Sequence, residues 1–374
     1  MVAGSFHARQ PNNLKGNSGQ AYIVDSGSDF PSIRFACMPP RTPDPFPPAQ
    51  PIPPSLDISE LGNALLRIAR GDRTDLAALL HDVEVQTILD GTKVICHCHS
   101  VALDGMGRPR VSDLAAAVRE RALEYAIPRS EIAAAEQHFQ RTRSPARLIG
   151  LDVQARSLFT DLENSGEGGE LLLFVLAETL LQLPQIICKM SLKTNTRMHV
   201  HGVDGVHAGV DPVTTRLALY WGESKIHNDA ADAIRECLAS LAPVLAEFGP
   251  GAAHERDLQL LQRAADLDDP DLETALKRFL NPRDPAYNDL EFRGLCLVGF
   301  DCDAYPSAVA AMRQQELIES ILSQLPGWKR QIARRVGEER LNDFTVHIIC
   351  VPFPSVDAFR MHMRLALGVT SAAA

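Results

Sequence analysis

Leu217-Ala218-Leu219-Tyr220-Trp221-Gly222-Glu223-Ser224-Lys225 is the stretch that decides the fold class. Side chains alternate along a strand, so Leu217, Leu219, Trp221, Glu223 and Lys225 share one face, an apolar row that ends in two opposite charges. A row of this kind predicts a strand buried in a sheet, with chemistry at its end. A carboxylate and an ammonium at i and i+2 project side by side, so one can hold a metal while the other holds an anion or an attacking water. For an isolated Glu-x-Lys pair, an exposed salt bridge is the simpler reading.

The preceding segment changes that balance. A strand is predicted over 198–210 with Val200, Gly202, Asp204 and Val206 on one face. If it forms an antiparallel hairpin with 214–225, turning between Gly205 and Pro212, Asp204 lies beside Glu223. Two adjacent carboxylates suit Mg²⁺, with Mn²⁺ as the alternative, and leave positions for waters and a substrate phosphate. A metal held there polarises a phosphoryl oxygen and acidifies a bound water. Lys225 then stabilises developing negative charge or orients the water.

A helix predicted over 169–183 comes before both strands, and Glu170 falls in its first turn, where the helix dipole favours a carboxylate. Glu170 is the preferred third metal ligand beside Asp204 and Glu223. Glu167 and Glu178 compete with it, because Glu178 shares a helical stripe with Glu170 and Phe174. His207 is expected to pack or face solvent away from Asp204, and His199 and His201 to be structural.

Working outward, strands are predicted over 185–193, 198–210 and 214–225, followed by a helix over 229–248. Next come a polar helical stretch over 254–280, a strand over 292–301, a helical region over 306–341, a strand over 344–351 and a helix over 355–367. This order predicts an α/β protein of the mixed-sheet, α+β type, with an αβββαβ core in a domain over 151–370 and a helical insertion near 254–280. Ahead of it, residues 56–150 read as an N-terminal α/β extension, with a helix over 59–69, an apolar segment over 92–103 and a helix over 111–126. Nine prolines in the sixteen residues 39–54 make 1–55 a disordered Pro-rich tail. Cys96-His97-Cys98-His99 looks like a metal cluster, but alternate strand residues face opposite sides and no second ligand pair follows. An ordinary strand without metal is expected there.

Composition bounds the partners. Of 374 residues, 45% are hydrophobic and 22% charged, which is globular and excludes wholesale disorder. The formal charge of −10 is wrong for a protein that grips DNA unaided, so either its substrate is not a long polyanion or a local patch or a partner supplies the positive field. Lys329, Arg330, Arg334 and Arg335 are the candidate patch, although a solvated helix face is the commoner explanation. Eight cysteines (37, 96, 98, 188, 237, 296, 302 and 350) sit scattered in apolar surroundings with no CxxC pair, as in a reducing compartment. With no apolar run of membrane-spanning length and no leader pattern, the expectation is a soluble cytoplasmic protein with no membrane association.

Three motifs together resemble a known family: Gly169-Glu170-Leu171-Leu172-Leu173, Gly202-Val203-Asp204-Gly205-Val206-His207 and Trp221-Gly222-Glu223-Ser224-Lys225. They are similar to the HamA nuclease subunit of the Hachiman anti-phage defence system, within the restriction-endonuclease-like, PD-(D/E)xK superfamily. Glu124-Tyr125-Ala126-Ile127-Pro128-Arg129 resembles the segment ahead of the family's nuclease core, and the likeness runs over roughly 90–365. The resemblance implies a metal-dependent DNA nuclease restrained by a helicase partner, HamB. It also implies that Asp204, Glu223 and Lys225 are catalytic and that Glu170 is the helix acid. A helicase that loads onto DNA would resolve the charge problem. The rival expectation from another class is a non-catalytic scaffold or interaction subunit that keeps a nuclease-like fold. A zinc hydrolase centred on 96–99 is a third.

Overall fold

A computed structural model describes residues 56–71, 73–159, 166–190, 203–246, 252–306 and 312–368, with side chains from 74 rather than 73 and from 257 rather than 252. The proline-rich tail, Gly202, His199 and His201 lie outside the described residues. Residues from Pro53 onward form one compact unit.

The fold is mixed α/β, built on a six-stranded sheet. The strands are β1 (Leu80–Ile88), β2 (Val94–Val101), β3 (Gly205–Val210), β4 (Leu217–Ile226), β5 (Leu290–Asp301) and β6 (Val346–Phe353), in the spatial order β1-β2-β6-β5-β4-β3. The inner pairs β2–β6, β5–β6 and β4–β5 are parallel, whereas the outer pairs β1–β2 and β3–β4 are antiparallel. Parallel strands must be covered on both faces, and β5 and β6 accordingly read as nearly continuous apolar runs, LCLVGF and IICVPF.

Helix α7 (Glu167–Leu180) packs on β3 and β4, and α8 (Ala230–Ala246) on β4 and β5. The helices before α7 are α1 (Ile58–Ile68), α2 (Arg73–Leu76), α3 (Val111–Glu120), α4 (Ala122–Ala126), α5 (Arg129–Thr142) and α6 (Ala146–Ser157). Those after α8 are α9 (Ala252–Ala264), α10 (Pro270–Phe279), α11 (Gln314–Glu338) and α12 (Val356–Leu367). Residues 56–150 and 151–368 share the one sheet, because β2 pairs with β6 from Val94↔Val346 to Cys98↔Cys350.

The first of the three strands expected between α7 and α8 is reduced to single bridges, Gln185↔His207 and Ile187↔Ala265. Gln185 gives its backbone N–H to the Glu178 carboxylate instead of to a ladder. Residues 184–186 still cover the open edge of β3 through Ile186 N–H to the Val206 carbonyl and Ala208 N–H to the Pro184 carbonyl. An uncovered edge would offer unpaired backbone groups to other chains.

Candidate active site

The hairpin that the sequence predicts forms: β3 and β4 run antiparallel with Gly205 opposite Gly222 and Val206 opposite Trp221. Continuing that register would set Asp204 opposite Glu223. The chain instead bends at Asp204, whose N–H bonds the Gly222 carbonyl at 2.8 Å. Its side chain then folds onto the end of β4, and Oδ2 accepts the Ser224 N–H at 2.8 Å.

Two glycines permit this geometry. A Cβ on Gly169 would stand 2.5 Å from the Ser224 hydroxyl and 3.2 Å from Ile226, so only glycine lets the first turn of α7 approach β4 this closely. A Cβ on Gly222 would meet the Leu173 side chain at 3.1 Å and the Gly205 carbonyl at 3.2 Å. The result is a cleft of ≈ 290 Å³ at the N-terminus of α7, whose walls include Glu170, Asp204, Ser224 and Lys225.

Two acid–ammonium groupings meet at this place. Lys225 pairs with Glu223 Oε1 at the end of β4. Lys189 Nζ stands 3.2 Å from Glu170 Oε2 and 3.2 Å from Asp204 Oδ1, bridging the helix acid to the hairpin acid. Glu170 Oε2 also accepts the hydroxyl of the fully buried Tyr125 at 2.9 Å. Glu223 Oε2 is buried with no hydrogen-bond partner among the described residues.

Electrostatics reflect this crowding. Burial, reinforced by Glu170, pushes the Asp204 carboxyl up to about 7, against the pull of Lys189. Burial also raises the Glu223 carboxyl, while Lys225 draws it back. Burial opposes the charge on both lysines, but Glu223 beside Lys225, and Asp204 and Glu170 beside Lys189, outweigh it and hold both ammoniums above their usual value. Burial pushes the Tyr125 phenol well above its ordinary range, so it stays a donor to Glu170.

Among the described residues no three His, Cys, Asp or Glu side chains gather closely enough to hold a metal ion. The orphaned Glu223 Oε2 and the carboxylate pair of Glu170 and Asp204, already arranged around a cation, nonetheless fit a hard divalent ion that keeps several waters. Lys189, Tyr125 and Ser224 took no part in the sequence-based site. A charged residue in the apolar run Gln185-Ile186-Ile187-Cys188-Lys189-Met190 was the available signal for Lys189.

Other candidates are structural. Glu178 is fully buried and accepts the Arg70 N–H at 2.7 Å, the Gln185 N–H at 2.8 Å and the Arg129 guanidinium at 3.2 Å, far from the cleft walls. Glu167 is buried in the first turn of α7. His207 packs in the core, where its Nδ1–H donates to the Leu183 carbonyl at 2.9 Å and burial lowers its pKa to about 4. Cys96 to His99 form part of β2, as expected. His97 stacks on His347 and His99 contacts Asp82 at 2.9 Å, while burial pushes the Cys96 thiol up to about 12 and the Cys98 thiol higher still. The basic row on α11 is largely neutralised within the chain: Lys329 pairs with Glu84, Arg334 with Glu338, and Arg335 with Glu338 and Glu339.

Fold and cleft together define a mixed α/β protein with a carboxylate–lysine site at the end of its β3–β4 hairpin. The HamA family model matches residues 76–364, which is well over half of the chain and includes every residue of that site. The chain belongs to the HamA family, and it is thereby a component of a Hachiman antiviral defence system. No curated protein matches it. Among the described residues no helix is long and apolar enough to cross a membrane.

Proposed function

We propose that this HamA protein is the metal-dependent DNA nuclease of its defence system, with a restriction-endonuclease-like site in which Asp204, Glu223 and Lys225 act on the phosphodiester and Glu170 completes the acidic set. The observation that carries this reading is the convergence of charged groups from three separate elements on one cleft: Glu170 from α7, Asp204 from the bend before β3 and Lys225 from β4 line it, and Glu223 is ion-paired with Lys225. Charges buried together cost several kcal/mol each unless paired, so their grouping at an open cleft favours a functional origin.

Glu170, Asp204 and Glu223 would hold Mg²⁺ or Mn²⁺, which when bound supplies Lewis-acid stabilisation of the phosphate and a more acidic water. Lys225, reaching the cleft from the strand end, neutralises charge that builds on the scissile phosphate. Tyr125 fixes one Glu170 oxygen and the Ser224 N–H fixes one Asp204 oxygen, so each acid presents its remaining lone pairs in a set direction.

A net charge of −10, with the basic row of α11 largely paired within the chain, argues for a polyanion grip supplied from elsewhere. A helicase partner of the HamB type, already loaded on DNA, would supply it and restrain cutting until needed. One observation favours a second reading, a non-catalytic scaffold: no three metal-binding side chains gather among the described residues. Plasmid degradation by the chain with its helicase partner separates the two. A nuclease cuts in Mg²⁺ and stops in EDTA, whereas a scaffold leaves the plasmid intact in both.

A further inference from the structure

We propose that Lys189 is a built-in competitor for the metal: its ammonium occupies the cation position between Glu170 and Asp204, and a divalent ion enters by displacing it. This rests on the metal-site reading given above. The geometry points to competition because Nζ touches one oxygen from each of two acids that come from different elements, at the same 3.2 Å. Both acids are mostly buried, at 9% and 12% side-chain exposure, so a carboxylate pair left there without a cation would repel strongly.

The lysine is itself mostly buried, with 19% of its side chain exposed, so it is not a surface group in passing contact. Its role differs from that of Lys225, which pairs with the single carboxylate of Glu223 on its own strand. A monovalent ammonium with a fixed tether balances the acids while the site is empty, and it raises the metal concentration needed to load the site. Lysine suits this use because its compact charge leaves on a flexible four-carbon stem. An idle nuclease thus keeps its acids apart from stray metal, and loading requires that the lysine swing out.

Calorimetric titration of the purified full chain with Mn²⁺, comparing wild type with Lys189→Met, tests this directly. Tighter binding by the variant, by about tenfold or more, is expected. Equal or weaker binding by the variant overturns the competition while leaving the metal site standing. No Mn²⁺ binding by either protein overturns both. A second measurement needs no variant: lysine labelling of the wild type followed by mass spectrometry, with and without saturating Mn²⁺. Lys189 should become more reactive when metal is bound, while Lys277, whose partner Glu273 lies on the same surface helix, stays unchanged. Lys189 reactivity that does not respond to bound metal contradicts the proposal, even if Lys189→Met fails to fold.

Discussion

Two buried glutamates on one helix have opposite surroundings. Glu178, near the C-terminal end of α7, is met by two backbone N–H groups and the Arg129 guanidinium in a closed interior. Glu170, two turns earlier, opens onto a cleft and shares Lys189 with a second acid, Asp204. Burial raises the Glu178 carboxyl, but Arg129 and the Gln185 N–H pull it back, and its surroundings complete it as a structural clasp between α7, Arg70 and the segment after the helix. The acids at the cleft end are paired with lysines instead, Glu170 and Asp204 with Lys189 and Glu223 with Lys225. Burial alone therefore does not mark a functional carboxylate; what its partners leave accessible does.

The comparison breaks most easily at its structural end. Glu178→Ala leaves Arg129 buried without its counter-charge and two backbone N–H groups unpaired, and a loss of about 3–5 kcal/mol in stability is expected for breaking such a buried pair. Chemical denaturation should register it. A loss under 1 kcal/mol, on the order of a surface change, would place Glu178 outside the clasp. Glu170→Gln is the opposite case: it keeps the shape and the Tyr125 hydrogen bond, so DNA cleavage should fall by about 10² or more while the melting temperature changes by a few degrees at most. A variant that unfolds would make Glu170 a second clasp.

Gly169→Ala sharpens the account at the interface between the two regions. The added Cβ meets the Ser224 hydroxyl at 2.5 Å, so α7 must shift from β4, and a cost of about 1–3 kcal/mol is expected for overpacking. Cleavage should fall with it, because Glu170 moves with the helix. Acid stability probes the core away from the cleft. Burial holds His207 and His347 down to about 4, so between pH 6.5 and 4 the unfolded chain takes up protons that the folded chain refuses. Stability from these two groups is complete above pH 6.5 and declines as pH falls towards 4. A melting temperature that falls as steeply between pH 6.5 and 4 in His207→Gln as in wild type would contradict it. The smallest effect belongs to α11: Arg334→Ala removes an exposed charge already paired at 3.6 Å, and DNA cleavage by the complex should stay within about twofold, as stability stays within about 0.5 kcal/mol.

The hairpin and its charged end were legible because β4 carries an uninterrupted strand pattern that stops at Glu223 and Lys225. The mixed α/β class followed from alternating helices and strands, and five of the six strands stand where apolar runs foretold them. Edge strand β1 did not show itself: His81, Asp82 and Glu84 interrupt its pattern, and Gln86, at φ 56, marks a bulge in its register with β2. Charges and bulges are what an edge strand uses against unwanted pairing, and they erase the signal that a buried strand gives. Helices α5 and α6 were missed because little of either is buried, so the apolar period is faint. Lys189 shows in the sequence only as a charge in an apolar run: its meeting with Glu170 and Asp204 depends on three elements converging, and no spacing along the chain encodes that.

One measurement bears most directly on the central claim, that the end of the hairpin is a phosphodiester-cleaving site. Glu223→Gln and Lys225→Met are compared with wild type in plasmid degradation in Mg²⁺ by the chain together with the proposed HamB-type helicase, alongside melting temperatures and co-purification with that helicase. Glu223 is buried with one oxygen orphaned, and Gln preserves its volume, so folding and association should hold. The account predicts cleavage reduced by about 10² or more in both variants with melting and partner binding intact. Cleavage at the wild-type rate in both variants would contradict it.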